Sequence, residues 1–234
     1  MRTQHVPPVA ALAFLLASLA CAQTGLDGHW EGILKADSRE IALSLDLAMN
    51  AKSEWIASMG VPAQNVNGLY VKDLVVNGKS VKFMAVELQM SICDLTLGAD
   101  GKLTGIIAGP RGSTPIEFQR KGEAKVQLPA PSPAVSKQFE GDWEGTLQMP
   151  GGGLPVTLHF KNQPDQTVAA TIDVPKTGAI GMPLNDVRQS GQKLEFGLKI
   201  AHGSFQGAMN QEGTEITGQL SHEAESMPLT LRKK

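Results

Sequence analysis

The sequence is sparing with the residue types that usually give a chemistry away. It carries two cysteines in 234 residues, aromatics make up 5% and charged residues only 19%. Cys21 lies in a leader-like segment, so the rest of the chain keeps Cys93 alone and has no partner for an intrachain disulfide. Cys93 shares a strand face with Leu95 and Leu97 and has no charged neighbour to lower its pKa, so it reads as a small buried hydrophobe rather than a reactive thiol. Basic residues number 21 against 23 acidic, and beyond Arg232-Lys233-Lys234 they form no stripe or cluster, which excludes a nucleic-acid footprint. No apolar run is long enough to cross a bilayer. The longest, Val9–Ala20, has twelve residues, where a spanning helix needs about 20.

That run explains itself differently. Arg2 precedes it, and Ala20-Cys21-Ala22 follows with small residues around a cleavage point, so residues 1–22 read as a signal peptide removed before Gln23. An alternative is a lipoprotein acylated at Cys21. Ala20 suits it, but Ser18 stands where the lipid-attachment motif usually has Leu. Either route sends the protein to the periplasm or the exterior. Loss of Arg2 moves the formal net charge from −2 to −3.

Catalytic spacings are missing as well. There is no G-x-S-x-G and no S-x-x-K in a helical context. There is no H-E-x-x-H, since His222-Glu223 continues as Ala-Glu-Ser. Gly151-Gly152-Gly153 lacks the helix start and following Lys of a phosphate cradle and reads as a flexible hairpin loop. His29, His159, His202 and His222 are scattered over separate strands and turns. No metal site, cofactor or catalytic residue is therefore expected.

What the chain does have is a repeat, the first thing to look for in any sequence. L-D-G-H-W-E-G-I-L at Leu26–Leu34 returns as F-E-G-D-W-E-G-T-L at Phe139–Leu147, a displacement of 113 positions. The same displacement carries Leu45 onto Leu158, Val61-Pro62 onto Val174-Pro175, and Phe83 onto Phe196. With a single-residue slip near Asp100-Gly101, Thr104-Gly105 and Pro115 meet Thr217-Gly218 and Pro228. Period-2 alternation in both copies predicts half-buried strands, over residues 29–35, 41–47, 54–60, 69–76, 80–86, 91–97, 102–107 and 114–120 of the first. Asn67-Gly68, Asn77-Gly78 and Asp100-Gly101 mark turns. Trp30, Gly32 and Leu34 share the inward face, as do Trp143, Gly145 and Leu147, and Phe83 and Phe196 join the expected core. A glycine between two large inward residues leaves room for close approach of a ring or a backbone.

Eight short strands joined by tight turns make a meander, and closure into a barrel removes its exposed edges. The expected fold is all-β, two tandem antiparallel meander barrels of about eight strands, lipocalin- or avidin-like in shape. Residues 23–121 and 139–234 form the units, and 122–138 a Pro-rich linker, extended and semi-rigid. A two-sheet sandwich is the alternative packing.

Two acidic pairs recur in both copies, Glu31/Glu144 and Asp73/Asp186. Paired carboxylates can perform glycosidic acid–base chemistry. The plainer reading has the glutamates facing outward toward a neighbouring Lys, and the aspartates bonding local backbone before a turn. These four are the candidate binding residues.

The string W-E-G-T-L…T-I-D-V-P…G-M-P-L…G-x-x-L-E-F…I-T-G…M-P-L-T-L, from Trp143 to Leu231, resembles a β-rich module that precedes secreted α/β-hydrolase or β-lactamase-like serine hydrolase domains in environmental bacteria. The first copy matches it more loosely. The resemblance implies an extracytoplasmic accessory role. No hydrolase follows Lys234, so hydrolysis is not expected to carry over. Two functions are thus in view: a non-catalytic module binding a small apolar ligand, a glycan or a partner protein, or an accessory domain or subunit of a secreted serine hydrolase.

Overall fold

Side chains alternate between dry and wet along nearly every strand, and that alternation curls the chain into two rings. The computed structural model describes residues 25–36, 39–89, 91–110, 112–149, 152–222 and 225–234. The segment expected to be a signal peptide, with Cys21, lies outside the described residues, as does Gly151. In the first copy, β1 (Gly28–Ala36), β2 (Arg39–Met49), β3 (Trp55–Val61), β4 (Val66–Asn77), β5 (Ser80–Ala85), β6 (Ser91–Leu97), β7 (Lys102–Gly109) and β8 (Gly112–Gly122) pair in sequence order, each antiparallel to the last. β8 returns to β1 and closes the barrel.

The second copy comprises β9 (Gly141–Met149), β10 (Gly152–Asn162), β11 (Val168–Val174), β12 (Ala179–Pro183), β13 (Asn185–Ser190), β14 (Lys193–Leu198), β15 (Gly203–Met209), β16 (Glu215–His222) and β17 (Glu225–Lys233). Here β17 pairs with β9, and the two sheet ends, β12 and β13, are consecutive in the chain. Together they occupy the place of β4, interrupted at buried Leu184. Beside the interruption, Pro183 stands where the first copy has Tyr70, so the second copy lacks the N–H that Tyr70 gives to the Glu87 side chain. Gly152 and Gly153, expected in a loop, lie inside β10 opposite Met149 and Gln148.

Backbone geometry repeats more faithfully than side chains do. Ser53, Asn65, Asp73 and Gln89 hold φ of 59°, 53°, 53° and 58°, and Gln166, Gly178, Asp186 and His202 at the matching positions hold 64°, 76°, 51° and 46°. The expected slip resolves into two that cancel. β6 aligns with β15 one position short of the general displacement, and the β15–β16 turn restores the register before β16.

Each barrel encloses its own apolar core. Trp30, Leu45, Phe83, Cys93 and Phe118 are at most 2% exposed in the first, and Phe139, Trp143, Phe160, Phe196 and Phe205 at most 3% in the second. Leu147 is buried as expected, whereas Leu34 is only partly so, because it lies at an open end. The inward glycines serve barrel closure. A Cβ on Gly32 would sit 2.6 Å from the Glu117 carbonyl oxygen, and one on Gly145 would sit 2.5 Å from that of Thr230. Phe196 and Phe205 stack at 4.9 Å, but Phe205 corresponds to Cys93, so the first core has one ring fewer at that point. Burial raises the Cys93 thiol to about 12, as befits a packing residue.

One end of each barrel is sealed. The Trp30 indole N–H donates to the carbonyl of Leu26 at 2.9 Å, and that of Trp143 to Phe139 at 2.8 Å. Leu26 and Phe139, both 0% exposed, are thereby drawn across the opening beneath their tryptophans.

Residues 123–140 run between the barrels and bond to both. The Lys125 and Gln127 amides donate to Asp46 Oδ1 (2.7 Å) and Ser58 Oγ (3.0 Å) of the first barrel. Ser132 Oγ accepts the Val187 amide at 2.9 Å, and Val135 exchanges hydrogen bonds with the Asn162 side chain. A direct contact joins the barrels too. Lys199 Nζ donates to the Gly68 carbonyl at 3.2 Å, and Ile200 packs against the first core.

Candidate ligand pocket

At the end of the first barrel opposite Leu26, the β1–β2, β5–β6 and β7–β8 connections surround a cavity of about 290 Å³. Leu34, Ile41, Leu43 and Ile107 give it apolar walls, and Glu87 and Thr114 contribute polar atoms. The walls come from the inward positions of β1, β2 and β7. Glu87 arrives differently. β5 ends at Ala85, the Val86 amide donates to the Tyr70 carbonyl at 3.4 Å, and the chain tucks inward so that Glu87 is only 4% exposed.

The two oxygens of Glu87 have different situations. Oε2 accepts the Tyr70 backbone N–H at 2.9 Å, whereas Oε1 is buried without a hydrogen-bond partner. Buried polar atoms are nearly always paired, so an orphan carboxylate oxygen asks for an explanation. Burial pushes the Glu87 carboxyl above the usual carboxylate range, while the Tyr70 N–H and the charge of Lys199 pull the other way.

Comparison of the copies separates structural need from the rest. Glu87 corresponds to Ile200 and Tyr70 to Pro183. Where no N–H exists at the Tyr70 position, no acceptor is kept opposite it. The Tyr70 cap thus accounts for one oxygen of Glu87 and leaves the other unexplained. Thr114 corresponds to Met227, which packs against the core of the second barrel.

The four residues singled out from sequence do not converge on this cavity. Glu144 pairs with Lys234 at 2.9 Å on the outer wall, and Glu31 lies 3.4 Å from His29. Asp73 and Asp186 are exposed and sit within β4 and β13 rather than before a turn. Each takes a left-handed φ beside a register shift, between Lys72 and Val75 and between Asn185 and Arg188. Asp tolerates that conformation better than most residues, so the pair shapes a bulge. Glu87 escaped sequence reasoning. Flanked by Val86 and Leu88 just past a strand end, it breaks the period-2 pattern and looks like an exposed turn residue.

The histidines are less scattered than the sequence suggests. His29 Nδ1 lies 2.9 Å from Asp46 Oδ1 across β1–β2, and His159 Nδ1 lies 2.8 Å from Asp142 Oδ1 across β9–β10. The displacement of 113 places His29 on Asp142 and Asp46 on His159, so the copies hold the same pair with its ends exchanged. His159 Nε2 also lies 3.3 Å from Asp173 Oδ2. Partial burial alone would favour the neutral ring, but the two carboxylates outweigh it and raise the His159 pKa above 6.5. Among the described residues, no three His, Cys, Asp or Glu side chains are grouped to hold a metal ion, and no helix is long and apolar enough to cross a membrane.

The fold defines the protein as a tandem of antiparallel β-barrels. No family model matches the chain, and no curated protein matches it. Among solved structures it is similar to a DUF3598-family protein of unknown function from Nostoc punctiforme, at 12% identity over 88% of this chain and 94% of that one, with a TM-score of 0.27. It is also similar to a "putative outer membrane protein" of Bacteroides fragilis, at 13% identity over 90% of this chain and 99% of that one, TM-score 0.27. Likenesses at that score carry no argument about function.

Proposed function

We propose that this chain is a non-catalytic, extracytoplasmic binding module whose first barrel takes a small, mostly apolar ligand through its open end. One observation carries the reading: the open end holds a cavity with Leu34, Ile41, Leu43 and Ile107 on its walls and Glu87 and Thr114 beside them. Ligand sites commonly pair apolar walls with a few convergent polar groups. At about 290 Å³ the cavity sits at the lower limit of the ~300–1,000 Å³ common for such sites, which favours a compact ligand. At the matching positions the second copy has Met227, which packs against its own core, and Ile200, which packs against the first.

Titration calorimetry with short-chain alcohols such as n-hexanol tests the reading. One molecule should bind per chain. A Glu87→Ile/Thr114→Met variant, which installs the second copy's residues, should abolish binding while leaving the melting temperature of the second barrel unchanged. Equal binding by this variant would place the ligand elsewhere.

A further inference from the structure

In the second barrel β11 and β13 do not pair with each other, and the connecting segment occupies the gap between them. On one side the Val168 N–H donates to the Ser132 carbonyl and the Ala134 N–H to the Gln166 carbonyl, both at 2.9 Å, and Pro133 forms a bridge with Thr167. On the other side the Val187 N–H donates to Ser132 Oγ at 2.9 Å, and the Ser136 N–H to Gln189 Oε1 at 2.6 Å. Val135 thereby enters the second core at 4% exposure. The segment acts as a short added strand, supplying partners to amides that a strand edge leaves unpaired. The first barrel has the same gap, between β3 and the second half of β4. The displacement of 113 carries Val168 and Val187 onto Trp55 and Leu74, which are only partly buried where their counterparts are at most 8% exposed. Among the described residues, no backbone group from outside the sheet bonds to Ser53, Trp55 or Leu74.

The same displacement carries residues 132–136 onto residues 19–23, L-A-C-A-Q, which lead into Leu26 as 132–136 lead into Phe139. The flanks of the gap change in step with these segments. Asn162 and Gln189, the polar side chains that hold Val135 and Ser136, give way to Met49 and Val76. Met49 is 48% exposed, an apolar flank without cover, and the run Leu19-Ala20-Cys21-Ala22 is apolar to match. We propose that Leu19–Ala22 close the gap of the first barrel as Ser132–Val135 close that of the second, so that a cut before Gln23 strips the first barrel of its added strand. The Leu19 carbonyl then accepts the Trp55 N–H, the Cys21 N–H donates to the Ser53 carbonyl, and Ala22 takes the inward place of Val135. The proposal is independent of the ligand pocket.

Amide hydrogen exchange tests it on the full chain, produced without export so that residues 1–22 stay attached, and on the chain begun at Gln23. The Trp55 and Leu74 amides should exchange about fivefold to tenfold more slowly in the full chain, the protection that one added hydrogen bond of ordinary net strength provides. Val168 and Val187, whose added strand is present in both chains, should not change and serve as the internal reference. Ala22→Glu in the full chain sets a charge at the inward place and should return Trp55 and Leu74 to fast exchange, with the second barrel unaffected. Equal exchange of Trp55 and Leu74 in the two chains would overturn the proposal. So would protection that survives Ala22→Glu, since the leader would then cover the gap without entering it. Slow exchange at both amides in the chain begun at Gln23, with a dimer in solution, would overturn it in favour of a segment from a second copy.

Discussion

Trp30 and Trp143 each contribute a ring to a core and an N–H to a seal. Truncating either to Ala should cost ~3–5 kcal/mol, the usual range for a large buried aromatic. Trp143→Phe isolates the second role. It keeps an aromatic ring but leaves the Phe139 carbonyl without its donor, which should cost about 1–3 kcal/mol, read as a lowered denaturation midpoint of the second barrel. The tryptophans were legible in the sequence because they head the repeat. The function of Leu26 and Phe139 was not, since nothing in the pattern L-D-G-H-W or F-E-G-D-W shows that the chain folds back under its own indole. His159 gives a pH-dependent expectation. Its folded pKa is raised, so the stability it supplies is fully present below 6.5 and is lost as pH rises through the higher folded value. The second barrel should melt at a higher temperature at mildly acidic than at mildly alkaline pH, and His159→Asn should shrink that difference.

Strands were the most readable elements, because a half-buried strand writes its orientation into every second residue. The predicted strand over 69–76 corresponds to β4, Val66–Asn77, and the others agree to within a few residues at their ends. What alternation could not reveal was how β4 bends. The strand passes from β3 to β5 at Tyr70–Val71, and in the second copy from β11 to β14 at Pro183–Asn185, just ahead of the register shifts at Asp73 and Asp186. From sequence their recurrence in both copies reads most plainly as backbone bonding before a turn, and the left-handed φ gives it a different conformational cause. Replacing Asp186 by Val should cost about 1–2 kcal/mol, the penalty of left-handed backbone for a branched side chain. Asp186→Gly should be neutral or slightly stabilising, and paired thermal melts separate the two. The break at Leu184 is a change of the same strand, readable only once Pro183 is placed opposite Tyr70.

At the scale of the molecule, the connecting segment behaves as two half-segments, each belonging to the barrel it touches. Lys125 and Gln127 bond to the first and Ser132 and Val135 to the second. Fragments divided at Ala130 should therefore each fold, with cooperative melts and separate core signals by NMR. A second fragment beginning at Ser136 should be less stable, because it omits Ser132 and Val135. If neither fragment folds, the Lys199 and Ile200 contact matters more than its small extent indicates.

Two closely related halves on one chain also face a hazard during folding, since a strand of one can dock against the other's equivalent neighbour. The exchanged His–Asp ends bear on that hazard. Were β9 to lie against β2, Asp142 would confront Asp46, and β1 against β10 would set His29 beside His159, so each wrong seam forfeits an attraction and one gains a repulsion. Lys102 and Gln119 at the β7–β8 seam answer to Glu215 and Arg232 at β16–β17, and β7 against β17 would oppose Lys102 to Arg232. Such seams act as a lock whose two keys differ, steering each hairpin to its own half while the chain is still assembling.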